Sequence, residues 1–308
     1  MERLSLKSGI PDRLRGSILA LGNFDGFHLG HQAVVGRAVA RGHHERRPVV
    51  VGTFFPHPVR FFKPDLPPFR LTSLDQRERL FAHAGADAML VFDFDADLAA
   101  TDAEDFVALL AEKVGAAGVV TGDDFTFGRG RGGSAELLRE LGAEHEIVAE
   151  TVPPVKVDGT IVSSSRIREA LMAGDPGTAT HLLSRPFAIE GVVQHGDARG
   201  RDLGYPTANL PMGQYLRPAY GIYAIRGWLD DEHQYAGVAN LGTRPMFDPP
   251  QELLEAHLFD FDGDLYGRNI EVALHHYIRP EAKFESMDAL TAQMDKDCAE
   301  ARRLLALP

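Results

Sequence analysis

The sequence predicts an α/β protein of two modules: a parallel, doubly wound sheet over residues 1–185, then an antiparallel β-barrel with a terminal helix over 186–308. Three observations predict this. Before Ser184-Arg185-Pro186, apolar runs alternate with helix-period segments, the pattern of βα units joined by right-handed crossovers. Beyond Pro186, short β-like runs are divided by Gly, Pro, Asp and Asn, as antiparallel strands are. The last segment returns to apolar spacings of three and four, the period of a helix lying on a core.

In order, Ser17 to Leu21 is an apolar run short enough for a buried strand, and Gln32 to Ala40 supplies helix formers after it. Strands follow at Val49 to Thr53, Ala88 to Phe92, Ala117 to Thr121 and Glu146 to Thr151. Helical patterns at Leu74 to Ala84, Ala103 to Val114 and Ala135 to Leu141 lie between them. In the second module strands are expected at Phe187 to Gln194, Gly221 to Gly227, Tyr235 to Asn240, Glu252 to Leu258 and Ile270 to Tyr277. Ser286 can cap the final helix, whose stripe of Met287, Leu290, Met294, Cys298, Ala301 and Leu305 should pack on the barrel.

At 308 residues, 44% hydrophobic and 25% charged, the chain can build two cores. Its net charge of −12 argues against nucleic acid or an anionic membrane as principal partner and leaves small phosphates, held by local basic and backbone groups. The single cysteine, Cys298, excludes an intrachain disulfide, fits a reducing cytoplasm and reads as a core residue. The opening MERLSLKSGIPDRLRG has no continuous apolar stretch and no run of 18 apolar residues occurs, so neither export nor membrane spanning is expected. Homo-oligomerisation is left open.

The most informative segment is LGNFDGFHLGH, Leu21 to His31, where a first strand should turn into a first helix. That junction is where open α/β sheets bind phosphates. Gly22, Gly26 and Gly30 permit close backbone approach or positive φ, and His28 and His31, at i and i+3, can share one face of the first turn. Two imidazoles there could stabilise charge developing on the bridging oxygen when the α-phosphorus of a nucleoside triphosphate is attacked. A plain polar helix start, or a metal-binding pair, would use the same two residues; the glycines with Asn23, Phe24 and Asp25 favour the phosphate reading. The segment resembles the signature of the adenylyl-transferring α/β nucleotidyltransferases, whose N-terminal domain is Rossmann-like. Nearly the whole chain resembles the bifunctional bacterial riboflavin kinase/FAD synthetases. That resemblance implies ATP as co-substrate and Mg2+, with riboflavin phosphorylated to FMN in the C-terminal module and FMN adenylylated to FAD in the N-terminal one.

Three further N-terminal segments bear on the adenylyl site. TFFPHP puts His57 between two prolines at the end of the second apolar strand, where it could face phosphates or simply sit in a surface turn. Phe55 replaces the acid more common in the family and is given no role. GDDFTFGRGRGG holds a literal GxGxxG at Gly128 to Gly133, with Glu150 near the spacing of a ribose-binding acid. Yet DDFTF separates those glycines from the strand, so a dinucleotide fingerprint is rejected. The resemblance instead assigns adenine and ribose binding to Asp124, and Arg129 and Arg131 are natural anion contacts. VSSSRIREAL offers Ser163, Ser164 and Ser165 at a helix N-terminus, with Ser164 or Ser165 as cap, followed by Arg166 and Arg168. It resembles the segment that holds the outer phosphates, with serine at 165 for the usual threonine.

In the second module, GRDLGYPTANL sets Thr207 and Asn209 two apart on an expected strand, so that one oxygen from each can bind a hard cation. A plain turn-to-strand segment reads similarly, but the match to the riboflavin kinase signature makes Thr207 and Asn209 the magnesium ligands and Gly200, Arg201, Gly204, Tyr205 and Pro206 nucleotide contacts. Glu255 is the one acid in the run LLEAHLF, and the resemblance makes it the base for the primary hydroxyl of riboflavin. Asp260, Asp262 and Asp264 read as turn residues, since the calcium-loop glutamate is missing. Met246 and Ser184 stand where the family commonly has threonine and glycine, which bears on flavin contacts. A single-activity nucleotidyltransferase with a silent flavin-binding barrel, and a non-catalytic flavin sensor, are the alternatives. Intact Thr207, Asn209 and Glu255 argue against the first, and intact His28 and His31 against the second.

Overall fold

The computed structural model describes residues 1–195, 205–229, 233–244 and 251–306. Gly200, Arg201, Gly204 and Met246 therefore lie outside the described residues. Two compact units emerge: Met1–Pro67 with Leu74–Ser163, and Pro68–Ser73 with Ser164–Pro308.

In the first unit, strands β1 (Glu2–Ser5), β2 (Ser17–Leu21), β3 (Val49–Phe55), β4 (Ala88–Asp93) and β5 (Ala116–Gly122) are followed by a short hairpin, β6 (Thr126–Phe127) with β7 (Gly133–Ser134). Next come β8 (Val148–Val152) and the pair β9 (Lys156–Val157) and β10 (Thr160–Ile161). The main sheet is parallel throughout, in the order β1-β4-β3-β2-β5-β8. β1 was not expected from sequence, because only Leu4 of its four residues is buried and one inward side chain carries no periodicity. The central strands read as continuous apolar runs because both faces are covered. Leu19, Val50 and Phe92 enter one core with Phe106, while Ile18, Val51 and Met89 enter the other with Phe81. Gly52 is required between them: a Cβ there would lie 2.9 Å from the Phe92 ring and 3.0 Å from Leu21.

The helices of this unit are α1 (Leu29–Glu45), α2 (Pro58–Phe62), α3 (Leu74–His83), α4 (Ala96–Ala100), α5 (Ala103–Leu109) and α6 (Ala135–Glu144). α1 begins three residues earlier than the sequence pattern suggests, because the His28 side chain caps it and compensates for Gly30 in its first turn. The chain leaves β2 toward β3 on one side and later returns to add β5 on the other. The carboxyl end of β2 is thus the switch point of the sheet, where a crevice for ligand opens.

The second unit opens with α7 (Ser164–Met172) and α8 (Pro176–Leu183). Six antiparallel strands follow: β11 (Phe187–Val192), β12 (Ala208–Pro211), β13 (Gly221–Trp228), β14 (Gln234–Arg244), β15 (Gln251–Leu258) and β16 (Asn269–Arg279). They run β11-β16-β13-β14-β15-β12. The two end strands approach through a bridge in which Gln194 N–H donates to Asn209 O at 2.9 Å, nearly closing the barrel. Helix α9 (Met287–Leu304) is capped by Ser286 as expected, and its far half packs Ala301 and Leu305 on Ala224 and Phe259. Met287, 57% exposed, does not join that core. Arg279 of β16 grips Asp297 of α9 with bonds of 2.9 and 2.6 Å, a charge-assisted pair that fixes the helix on the barrel. Burial pushes the Cys298 thiol up to about 11, which keeps it protonated and unreactive at neutral pH.

Candidate active sites

At the switch point of the first unit, the loop between β2 and α1 is shaped by backbone conformations that side chains rarely adopt. Phe24 (φ 50) and Phe27 (φ 44) are left-handed, as is Gly26 (φ 90). Such strain persists where the surroundings over-determine it, and it clusters at functional sites. Here the Phe24 and Phe27 rings both pack edge-on against Phe81 of α3, at 5.7 and 5.1 Å between centroids. The chain is thereby turned so that His28 lands on the N-terminus of α1.

His28 Nδ1 accepts the His31 N–H at 3.3 Å, which places the ring proton of His28 on Nε2 and leaves that atom as a donor. The two imidazoles stack with centroids 3.6 Å apart and planes 17° apart. Stacked in this way, the two rings can present their donors to one ligand together. Gly30 permits the stack, since a Cβ there would lie 3.1 Å from His28 Cε1. Amides of a helix start, two imidazoles and a glycine-lined approach are groups that together can receive an anion.

Sequence reasoning missed what holds this loop from behind. Arg77 of α3 and Asp25 are each only 2% exposed and form an ion pair at 3.5 Å. Arg77 Nη1 also donates to Asn23 O at 3.2 Å and to Thr53 Oγ1 at 3.1 Å, while Thr53 Oγ1 donates to Asn23 O at 2.8 Å. Asn23 and Asp25 thus shape the loop through this clamp. Arg77→Met is expected to destabilise the first unit by about 3 kcal/mol, because it removes the guanidinium paired with the buried Asp25 carboxylate, and to depress its activity. Arg77→Lys should recover part of the stability but little of the loop geometry, since the three donors of a compact ammonium do not reproduce the planar fork that reaches Asn23, Thr53 and Asp25. Thermal unfolding of the three proteins checks this; equal midpoints for wild type and Met would refute it.

The other expected residues of the adenylyl site lie on several elements. His57 caps α2, its Nδ1 accepting the Val59 N–H at 3.2 Å. Asp124 is exposed beyond β5, with its carboxylate over Gly122. Arg129 and Arg131 are exposed on a 3-10 turn in the β6/β7 hairpin, so the GxGxxG does not sit at a strand-to-helix turn. Glu150 is occupied by Arg37 and Arg41, at 2.7 and 3.2 Å, as a structural tie across the sheet edge. Ser163 ends the first unit, and α7 starts at Ser164. Ser165, Arg166 and Arg168 lie within α7, where Arg168 Nε donates to Phe69 O at 2.8 Å and its guanidinium lies over the Phe69 ring.

In the barrel, strand register assembles a second group. Asn209 of β12 is opposite Glu255 of β15, which is opposite Asn240 of β14. Directly paired residues share a face, so the three side chains form one row. The next row, Leu210, Leu254 and Leu241, is fully buried on the opposite face. Asn209 is 4% exposed, and its Oδ1 has no hydrogen-bond partner among the described residues. A buried acceptor left so costs roughly 1–3 kcal/mol, a sign that a ligand is to fill it. A neutral amide oxygen of this kind suits a hard cation, and Thr207, one residue before β12, adds a hydroxyl; these residues fit magnesium. Tyr205 and Pro206 are anchored just upstream. The Tyr205 hydroxyl bonds to Asp295 of α9, which with burial pushes its pKa up to about 12, and His257 Nδ1 lies 2.9 Å from Pro206 O. No sequence signal marks Asp295 or His257 for this.

The chain matches the family model described as FAD synthetase over residues 10–166 and that described as riboflavin kinase over residues 183–305. It is 40% identical over 293 residues to a bifunctional riboflavin kinase/FMN adenylyltransferase of Escherichia coli (strain K12), covering 95% of this chain and 94% of that one. The protein of the same description from Bacillus subtilis (strain 168) is 36% identical, with 96% and 94% covered. A solved structure titled as a macrolide-efflux protein from Streptococcus pneumoniae superposes with a TM-score of 0.86 at 32% identity, covering 98% of this chain and 99% of that one. Among the described residues no helix is long and apolar enough to cross a membrane.

Proposed function

The chain belongs to the bifunctional riboflavin kinase/FMN adenylyltransferase family, and from that premise we propose which residues carry each step. It phosphorylates riboflavin to FMN and adenylylates FMN to FAD, using ATP in both. Adenylylation belongs to residues 1–185 and phosphorylation to residues 186–308, in the cytoplasm.

In adenylylation, a phosphate oxygen of FMN attacks the α-phosphorus of ATP and pyrophosphate leaves. The reading rests on the stacked pair His28/His31 at the start of α1. His28 Nε2–H, His31 and the amides of that helix start donate to the phosphate oxygens as charge builds on the bridging oxygen, with no covalent intermediate on the protein. Gly22, Gly26 and Gly30 keep the approach open. His57, Asp124, Arg129 and the segment Ser163, Ser164, Ser165, Arg166 and Arg168 are assigned to the remainder of the nucleotide.

In phosphorylation, Glu255 takes the proton of the primary hydroxyl of riboflavin as that oxygen attacks the γ-phosphorus of a second ATP. The row Asn209–Glu255–Asn240 carries this assignment. Thr207 and Asn209 would hold magnesium, which when bound neutralises charge on the phosphates. Tyr205 and Pro206, with Gly200, Arg201 and Gly204 before them, are assigned to ATP.

Supplying riboflavin, ATP and magnesium and separating the flavins over time tests the two-step reading: FMN should rise first and FAD follow. Asn209→Ala should slow FMN formation, with partial recovery at higher magnesium, and leave adenylylation of supplied FMN unchanged. A magnesium dependence identical to wild type would remove Asn209 from the metal site.

A further inference from the structure

Glu255 has an amide on each side, and only one of them is accounted for by metal binding. Asn240 pairs with Glu255 across β14 and β15 as Asn209 does across β12 and β15, and Asn240 Oδ1 is likewise buried without a hydrogen-bond partner among the described residues. Its Nδ2 donates to Glu281 Oε1 at 3.4 Å. That contact orients the amide: the nitrogen is engaged with Glu281 and the oxygen is the end left for a donor.

Distance separates the roles of the two amides. Neighbouring strands lie about 4.8 Å apart, so the backbones of β12 and β14, with β15 between them, are separated by roughly 10 Å. Oxygens bound to one magnesium lie about 2.1 Å from it and so no more than about 4 Å from each other. With Glu255 interposed, an ion held by Asn209 is not also held by Asn240. The group sought by Asn240 Oδ1 must be a hydrogen-bond donor. Phosphate oxygens of ATP are acceptors and do not qualify. The reactant that has to lie against Glu255 ends in a hydroxylated chain, and its hydroxyls are donors.

We propose that Asn240 Oδ1 accepts a hydrogen bond from a secondary hydroxyl of the ribityl chain of riboflavin, and so positions the terminal hydroxyl at Glu255. The inference rests on the reading of Glu255 as the base. It makes Asn240 a substrate-binding residue that selects for a polyol chain next to the reacting oxygen.

The test compares wild type and Asn240→Ala on riboflavin and on analogues each lacking one secondary ribityl hydroxyl. A neutral hydrogen bond of about 1 kcal/mol corresponds to roughly a fivefold effect. Asn240→Ala should raise the KM for riboflavin about fivefold and weaken riboflavin binding, followed by flavin fluorescence without ATP, by a similar factor. Its KM for ATP and its magnesium dependence should not move. One deoxy analogue should cost wild type about fivefold and cost Asn240→Ala nothing further. Each analogue-to-riboflavin ratio is read within one protein, so a smaller folded fraction of the variant cancels. A raised magnesium requirement would show Asn240 to be a metal ligand and overturn the proposal. Equal penalties from every analogue in both proteins would overturn it too. Failure of the base reading is separate: it would appear as wild-type phosphorylation by Glu255→Gln, whereas the fluorescence comparison reads Asn240 without turnover.

Discussion

Replacing both His28 and His31 by alanine is expected to reduce FAD formation from supplied FMN by about three to four orders of magnitude, while riboflavin phosphorylation continues. Loss of one preorganised donor to a developing oxyanion costs about 10²- to 10³-fold, and two donors acting on one charge give less than the product of their single effects. The stack makes the coupling explicit. His28 Nδ1 is occupied by the His31 amide, so removing His28 also uncaps α1, at about 1 kcal/mol, and loosens the first turn on which His31 stands. His31→Ala leaves the cap acceptor in place and should be the milder single variant. Fed riboflavin and ATP, the double variant should accumulate FMN. FAD formation at the wild-type rate by the folded double variant would remove both histidines from the chemistry.

The adenylyl motif was legible because its information is local: glycines, a strand before it and a helix after it mark a turn in the sequence itself. What stabilises that turn was not. Arg77 reaches Asp25 across 52 residues, and in LDQRERLFAH it looks like one more charge on a solvated helix face. Only the packing of α3 against the loop turns Arg77 and Phe81, one helical turn apart, into its polar and apolar supports. Which serine caps α7 was not legible either, since three consecutive serines offer equivalent hydroxyls and helix ends are the least determined part of a pattern. In the barrel, alternation located the strands but not their register. Asn209 and Glu255 were found by resemblance, whereas Asn240, within GVANLGTRP, acquired meaning only when the pairing of β14 with β15 put it beside the carboxylate.

Glu255→Gln is expected to lower the phosphorylation step by about two to four orders of magnitude, the usual range for loss of a positioned general base. The substitution keeps the size of the side chain and its place between Asn209 and Asn240, so the row stays filled and Leu254 and Ala256 keep their core positions on the other face. What it removes is the capacity to take a proton at the oxygen that attacks the γ-phosphorus. Because binding contacts are retained, the loss should fall on kcat with KM for riboflavin nearly unchanged, the opposite of the pattern expected for Asn240→Ala. From supplied FMN the variant should make FAD at the wild-type rate. From riboflavin it should make almost neither product, because the adenylyl site receives no FMN. If Glu255→Gln phosphorylates riboflavin as fast as wild type, the carboxylate is not the base; positioning of the hydroxyl for in-line attack then has to supply the acceleration alone.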